Sequence, residues 1–207
     1  RAARVLEAGF VKKMNDDGWH TILAAGVDRN VLVYDADAAA GQFTKRQISL
    51  MKSVMRRNAG GNSASMNRGR LTDVYLSPEG LEDIRNWGVD QADETTRREI
   101  YLSADDGGAI TRIFGVNLNA LDELGQSQEY QNYFTSNLSG TLGPSSDVEL
   151  VVGLDLAASD SFVMPVKQEV TVFEDEALHR HQKMGFYGFA EIGFGVLDSR
   201  RVLLGSF

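Results

Sequence analysis

The sequence predicts an α+β protein in which helices come early and strands dominate the end of the chain. Three observations predict this class. Apolar residues recur at helical spacing near the start, polar and glycine-rich stretches separate the segments, and β-branched and aromatic residues cluster in short runs after residue 148. Strands and helices do not alternate regularly, so a parallel sheet of repeated β-α-β units is not expected.

The first helix is predicted to open the chain. Leu6, Phe10 and Met14 are four residues apart and therefore share one side, with basic residues turned to the other side. The run Asn-Asp-Asp-Gly at 15–18 is predicted to end this helix. A short strand is predicted at 31–34, where four residues with high strand propensity follow one another.

The second helix carries the clearest start signal. Thr44 followed three residues later by Gln47 is typical of a capping box, and the helix is predicted to run to Asn58. The apolar positions that follow the cap at helical spacing are Ile48, Met51, Val54 and Met55. Residues 59–70 are rich in Gly, Ser and Asn, which predicts a loop.

A third helix is predicted after a strand at 71–76. Ser77–Pro78–Glu79 supplies an N-cap hydroxyl, a first-turn proline and an acidic residue, all of which favour a helix start. The helix is predicted to close at Gly88.

Most of the remaining chain is predicted as strands and loops. The turn signal Asp-Asp-Gly-Gly at 105–108 predicts a hairpin between strands at 100–102 and 109–118. Residues 125–147 are predicted as a loop. The late strands are predicted at 148–154, 161–165, 169–173 and 183–197.

Three glycines lie on one face of the long predicted strand at 183–197, opposite a row of apolar residues. They are Gly185, Gly193 and Gly195. A glycine in a strand allows another backbone or a bulky group to approach closely. The pattern fits either a bulged core strand or a strand packed against a neighbouring subunit.

Composition excludes several classes of protein. Hydrophobic residues at 43% and charged residues at 24% are typical of globular chains, and no apolar run is long enough to span a membrane. The absence of cysteine excludes disulfides, thiolate metal sites and cysteine nucleophiles. These counts leave a globular protein with few residues suited to catalysis.

Charge is divided unevenly along the chain. Residues 1–70 contain 12 Lys and Arg against 6 Asp and Glu, whereas the whole chain has a net charge of −8. A general nucleic-acid binder is therefore not expected, because affinity for phosphates comes from basic surface. The basic side chains of this region are either simply exposed to solvent or form a surface that binds a polyanion. The basic residues of the second helix are Lys45, Arg46, Lys52, Arg56 and Arg57, and both interpretations apply to them.

No catalytic constellation is visible in the sequence, and we expect neither enzymatic activity nor a cofactor. His179 and His181 would share one side of a strand and suggest a metal edge, with Glu174 or Glu176 as a third ligand. A solvated strand end or loop is the simpler interpretation of that segment. Two other functions compete: a small hydrolase with Glu174 or Asp175 as its carboxylates, and a monomeric binding module that uses a glycine-rich sheet.

The order of the motifs resembles that of a known family. Residues 43–48 open a helix, a Gly/Ser/Asn loop follows, and residues 71–79 lead from a strand into another helix. Residues 113–118 then end a hairpin, and a closing block from 151 to 202 contains the glycine-bearing strand. In this order, over nearly the whole chain, the sequence resembles the major capsid proteins of tailed bacteriophages, which have the Hong Kong 97 fold.

The resemblance implies a division into domains. Residues 1–34 would form part of the peripheral domain, with residues 1–14 in the spine helix, followed by a strand. Residues 35–150 would form most of the axial domain, and residues 151–207 would be strands that return mainly to the peripheral domain. The chain begins at Arg1 without a methionine, and the N-terminal arm and extended loop of the family are absent from the sequence. We expect processing or truncation to have removed them.

The resemblance also implies a function, namely self-assembly into the icosahedral shell that encloses phage DNA. The implied partners are copies of the chain in pentamers and hexamers, packaged double-stranded DNA bound without sequence preference, and scaffolding or decoration proteins, with no membrane. The implied location is the virion, after assembly in the cytoplasm of the host bacterium. The nearest alternative within the same fold is the shell of an encapsulin-type nanocompartment.

Two sets of residues are assigned on this basis. The predicted DNA-facing residues are Arg1, Arg4 and Lys12 of the spine helix. The predicted subunit-interface residues are Gly185, Gly193, Gly195, Arg200 and Arg201.

Overall fold

The structure is a computed structural model that describes residues 2–28, 31–58, 69–88, 92–94, 96, 112–138, 149–157, 161–175 and 185–207. Within these ranges the chain is α+β, as predicted. The described α-helices are α1 (Ala2–Val27), α2 (Lys45–Asn58), α3 (Pro78–Arg85) and α4 (Glu129–Tyr133). The described strands are β1 (Leu32–Val33), β2 (Asp73–Leu76), β3 (Arg112–Ile113), β4 (Val116–Ala120), β5 (Leu150–Leu154), β6 (Phe162–Val163), β7 (Val166–Glu174), β8 (Phe186–Ile192), β9 (Gly195–Val196) and β10 (Val202–Ser206).

A six-stranded mixed sheet organises the molecule, in the order β1-β10-β5-β2-β4-β3. β1 lies parallel to β10, and β2 lies parallel to β4, while the other neighbours are antiparallel. Every residue of β5 and β10 is buried, as expected for central strands covered on both faces. Two further antiparallel pairs, β6 with β9 and β7 with β8, lie outside this sheet.

Helices cover the two faces of the sheet because successive strand residues point to opposite sides. Val151 of β5 and Leu203 of β10 belong to one core cluster, which also contains the apolar sides of α2 and α3. Leu150 of β5 and Leu204 of β10 belong to a second cluster, which contains Leu23 of α1 and residues of α4. The sheet is therefore the middle of three layers.

The predicted starts of α2 and α3 are confirmed, with one difference. The Ser77 side chain accepts a hydrogen bond from the Gly80 amide, and the Gln47 amide donates to Thr44 Oγ1 at 3.2 Å. The Gln47 side chain does not complete the capping box. Its Nε2 instead donates to the carbonyls of Val33 at 2.8 Å and Ser206 at 3.1 Å, so it ties α2 to the sheet edge.

The predicted end of the first helix at residues 15–18 is wrong, because α1 continues to Val27. Lys12 and Lys13 each form an ion pair with the aspartate four residues later, a spacing that stabilises a helix through the predicted stop. Beyond the stop, Leu23 is fully buried under the sheet. Burial of the second half of α1 against the sheet stabilises the helix beyond residues 15–18. A prediction from the local stop signal does not include this tertiary contact.

The single strand predicted at 109–118 is also wrong over its described part. Residues 112–120 form the hairpin β3–β4, with a two-residue turn at Phe114 and Gly115. Both turn residues have positive φ, 50° and 76°, as a type I′ turn requires. The predicted strand at 100–102, its turn at 105–108 and most of the loop at 59–70 lie outside the described residues.

Two further segments differ from prediction. Within the predicted loop at 125–147, α4 and a π-helical turn at Phe134–Leu138 are packed against the sheet through buried Tyr130 and Phe134. The long strand predicted at 183–197 is divided into β8 and β9, because each pairs with a different partner. The central strand β10 was not among the predicted strands.

Candidate functional site

The candidate site is the two-stranded ribbon formed by β7 and β8, which is a sheet of its own and not part of the six-stranded sheet. Cα partners run from Val166 opposite Ile192 to Glu174 opposite Phe186, with two register shifts near Gln168. A ribbon of two strands is marginally stable alone, so its support comes from whatever covers its faces.

The inner face of the ribbon lies on the first half of α1. A side-chain Cβ at Gly188 would be 2.9 Å from the Phe10 ring and 3.3 Å from Leu6 Cδ2. Glycine is needed here because any side chain would push the strand away from the helix. The predicted apolar side of the opening helix is thereby confirmed, since Leu6 and Phe10 are its members.

The outer face of the ribbon carries a row of exposed aromatic side chains, called here the aromatic row: Phe173, Tyr187 and Phe189. Because strand residues alternate, Tyr187 and Phe189 point away from the helix that Gly188 contacts. The Phe173 ring stacks on Tyr187 at 5.6 Å and on Phe189 at 5.9 Å between centroids. The three side chains are 40%, 54% and 46% exposed, so this apolar row has no cover within the described structure.

A second apolar feature adjoins α1. A hollow of about 390 Å³ lies between α1, the β6–β9 pair and the end of β5. Trp19 and Phe194 line it, and Met164 lies at its edge with 57% of its surface exposed. Exposed apolar surface that continues beyond one side chain is typical of a contact surface for another molecule.

Comparison with known proteins gives a structural likeness but no match in sequence. No family model and no curated protein matches the chain. Among solved structures, the chain is similar to a protein of Mycobacterium phage Ogopogo at 14% identity, with a TM-score of 0.47. The likeness covers 99% of this chain and 70% of that one. A TM-score and an identity this low do not establish a common fold.

Of the predicted DNA-facing residues, Arg1 lies outside the described residues and Arg4 is exposed on α1. Lys12 Nζ donates to Asp16 at 3.1 Å and to Glu129 of α4 at 2.8 Å. The hydrogen bond to Glu129, followed by that to Asp16, raises the pKa of Lys12. Its charge is therefore matched by carboxylates of its own chain, and its contact with DNA stays a prediction.

The predicted interface glycines lie at positions where the chain approaches itself. A Cβ at Gly193 would be 3.3 Å from Pro165, and a Cβ at Gly195 would be 3.2 Å from Val163. The Gly185 carbonyl accepts a hydrogen bond from the Asp175 amide at 2.8 Å. Close packing within the chain accounts for Gly193 and Gly195, and the role of all three glycines between subunits stays a prediction.

The two predicted interface arginines occupy different environments. Arg200 is exposed and donates to both carboxylate oxygens of Asp198, and the hydrogen bond from Arg200 lowers the pKa of that carboxyl. Arg201 is buried and paired with buried Asp155. The buried pair ties the end of β5 to the turn before β10. The interface role of both arginines stays a prediction.

The segment suggested as a metal edge, with His179, His181 and Glu176, lies outside the described residues. Within the ranges that the structure describes, no three His, Asp or Glu side chains converge in a group that could hold a metal ion. Glu174 is the last residue of β7, opposite Phe186 of β8, and Asp175 follows it. In the same ranges, no helix is both long and apolar enough to cross a membrane.

A buried carboxyl lies near the start of α3. Glu149 is 9% exposed and accepts a hydrogen bond from the Ser77 hydroxyl. Burial raises the pKa of Glu149 above its ordinary value of 4.5, and the nearby charges of Glu79 and Asp83 add to the effect. The hydrogen bond from Ser77 acts in the opposite direction but does not outweigh burial.

This shift predicts a pH dependence of stability. The folded state holds the Glu149 proton more tightly than the unfolded chain, so the free energy of unfolding should fall as pH rises above 4.5. In Glu149→Gln this contribution is absent, and the amide oxygen still accepts from Ser77. Relative to the parent chain, the variant should therefore gain stability between pH 4.5 and pH 8, as measured by urea unfolding at several pH values.

The same substitution at exposed Glu82 of α3 provides the control. Glu82→Gln should keep the pH dependence of the parent chain. A pH dependence of Glu149→Gln equal to that of Glu82→Gln would contradict the assignment to Glu149.

Sequence reasoning missed the aromatic row, although a signal for it exists. Residues 186–192 read Phe-Tyr-Gly-Phe-Ala-Glu-Ile, and Tyr187, Phe189 and Glu191 fall on one face by alternation. The three predicted glycines do not include Gly188, which is the one that admits the helix. The alternation in the sequence shows that this strand has two different faces. Only the tertiary structure shows that α1 packs on one face and that the other face is exposed.

Proposed function

We propose that the protein is a structural subunit that assembles with copies of itself through the aromatic row. The observation that carries this proposal is the ribbon itself: its inner face contacts α1 at Gly188, and its outer face carries an apolar row of three stacked rings. Single exposed hydrophobic residues are common on monomers, but a contiguous row of aromatic side chains is typical of an interface.

The size of the available interaction supports assembly. Full burial of an aromatic side chain removes about 150–250 Å² from water, and roughly half of that surface is still exposed in the row. At about 25 cal/mol per Å², covering the row would contribute roughly 6 kcal/mol before the cost of association. A contact of this size is weak alone, but it is sufficient when closure of a shell makes later contacts effectively intramolecular.

The finer proposal is a major capsid protein of a tailed phage with the Hong Kong 97 fold. It rests on the motif order described above and on a long helix, α1, that carries an elongated ribbon. In this proposal residues 1–34 and 151–207 belong mainly to a peripheral domain and residues 35–150 to an axial domain. The chain would form pentamers and hexamers of an icosahedral shell around DNA in the virion, and it would need no catalytic residues.

The test compares the parent chain with the triple variant Phe173→Ser/Tyr187→Ser/Phe189→Ser. The parent chain should sediment as oligomers and form closed particles in electron micrographs. The triple variant should remain monomeric at the same concentration, because it lacks the apolar row. Its urea midpoint, measured at low protein concentration, should change little because the three side chains lie outside the core.

The double variant Val11→Ser/Tyr34→Ser is the control, since it removes exposed apolar side chains elsewhere. It should assemble like the parent chain. A parent chain that stays monomeric at high concentration contradicts self-assembly, and a triple variant that assembles normally contradicts the role of the row. Small rings or open fibres in place of closed particles contradict a shell, and particles that exclude DNA but enclose protein cargo favour the encapsulin alternative.

A further inference from the structure

Helix α2 carries a basic stripe on its exposed surface, beside its buried positions. Lys45, Lys52 and Arg56 are separated by 7 and 4 residues, so they lie within one narrow sector of the helix. All three side chains are exposed, whereas Met51 and Met55 are fully buried. At 1.5 Å per residue the stripe is about 16 Å long.

A basic hollow of about 420 Å³ lies at the C-terminal end of this stripe. It is formed by α2 and by the segment that leads into β2. The described residues that line it are Lys52, Ser53, Arg56, Gly69, Arg70 and Leu71. Three of the six are cationic, none is acidic, and none is aromatic. Gly69 and Leu71 are buried, so they form the floor beneath the charged side chains.

Hydrogen bonds to the rest of the fold hold both sides of the hollow. Lys52 Nζ donates to the Phe114 carbonyl at 2.8 Å. The Arg70 amide donates to Asp155 Oδ2 at 2.9 Å. The Asp155 carboxylate is itself paired with buried Arg201. Its negative charge is therefore balanced by Arg201 and does not cancel the positive charge of the hollow. Both sides of the hollow are therefore held in place by the described part of the fold.

The arginines of the hollow differ from other basic residues in their partners. Arg46 is paired with Asp35 and Asp37, and Lys13 is paired with Asp17. For the guanidinium groups of Arg56 and Arg70, the described part of the chain supplies no carboxylate or carbonyl partner. Their planar sets of N–H donors match the geometry of a phosphate group, to which arginine binds in a bidentate manner.

We propose that the basic hollow and the stripe bind the phosphate backbone of a nucleic acid without reading its bases. The cations match phosphates, and the described residues that line the hollow include no aromatic side chain to stack on a base and no carboxylate to accept from a base edge. The stripe continues beyond the hollow to Lys45, which favours a polymer over a single phosphate. Its length corresponds to about five base-pair steps of 3.4 Å.

This surface is separate from the predicted DNA-facing residues of α1, and the inference does not rest on the proposed shell. Binding can be measured by the fluorescence anisotropy of a labelled duplex of about 20 base pairs with mixed sequence. If Lys45, Lys52, Arg56 and Arg70 each contact one phosphate, the logarithm of the association constant should fall with the logarithm of salt concentration at a slope of about −3.6.

The variant Arg56→Gln/Arg70→Gln should weaken duplex binding on the order of 10-fold or more at low salt. It should also reduce the size of the salt slope by about 1.8, because two phosphate contacts are lost. The conservative variant Arg56→Lys/Arg70→Lys should keep most of the slope, since the charges remain. All of these side chains are exposed, so circular dichroism and the urea midpoint should not change.

The control variant Lys13→Gln/Lys167→Gln removes the same number of charges from exposed residues that are paired with carboxylates. It should bind the duplex like the parent chain. Equal weakening by this control would mean that only net charge matters, and the proposal would be overturned. The proposal is also overturned if the parent chain does not bind the duplex. This holds even if the parent chain binds inorganic phosphate at matched ionic strength.

Discussion

Asp155→Ala should lower the free energy of unfolding by about 3–5 kcal/mol, because it removes the nearer and more deeply buried of the two carboxylates that pair with the buried Arg201 guanidinium, the other being Asp198 at 3.6 Å. Asp155 is 1% exposed and Arg201 is 7% exposed, so water cannot replace the lost partner. The carboxylate also accepts from the amides of Arg70 and Ala157. The loss would be a large part of the roughly 5–15 kcal/mol that stabilises a typical domain. Urea unfolding followed by circular dichroism measures it.

An exposed ion pair serves as the control. Glu191→Ala breaks the pair between Lys167 and Glu191 on the ribbon and should cost less than about 1 kcal/mol. The double variant Asp155→Leu/Arg201→Met should recover much of the loss, since replacing both members of a buried pair with apolar residues is often tolerated. A single variant as stable as Glu191→Ala would show that the buried pair does not hold β5 to the turn before β10.

Phe134→Ala should lower the free energy of unfolding by a similar amount, about 3–5 kcal/mol. The Phe134 side chain is fully buried in the core cluster that also contains Leu23 of α1 and Leu150 of β5. Truncation removes apolar contacts and leaves a cavity that three separate elements would have to close. Because the sheet and α1 both depend on this cluster, the midpoint of thermal unfolding should fall as well.

The same truncation at an exposed site separates burial from side-chain size. Phe189→Ala on the outer face of the ribbon should change the free energy of unfolding by less than about 1 kcal/mol when it is measured at low protein concentration. Similar losses at Phe134 and Phe189 would mean that the π-helical turn after α4 does not pack against the sheet.

Phe134 also illustrates where sequence reasoning ended. Residues 125–138 are mostly polar, and the segment contains Gly125, so local composition favours a loop. A weak signal was present, since Tyr130, Phe134 and Leu138 recur every four residues. The helix at this place is only five residues long and has no side-chain cap, so contact with the sheet is what stabilises it.

The first helix differs for a related reason. Asn-Asp-Asp-Gly at 15–18 is a sound local stop signal, yet α1 passes through it. Gly18 lies inside the helix, where its Cβ position would be 3.6 Å from the Phe194 ring. Phe194 is 176 residues further along the chain. A local signal cannot include such a contact.

The sequence by itself determined the α+β class, the starts of α2 and α3 at Thr44 and Ser77, and most of the late strands, because caps, turns and alternation act over a few residues. Only the tertiary structure decided the length of α1, the pairing of β10 in the centre of the sheet, and which face of the ribbon is left bare. It also brought Arg70 beside Arg56 to form the basic hollow. These features depend on contacts between residues far apart in the chain, and no local pattern records which distant surface will cover a given side chain.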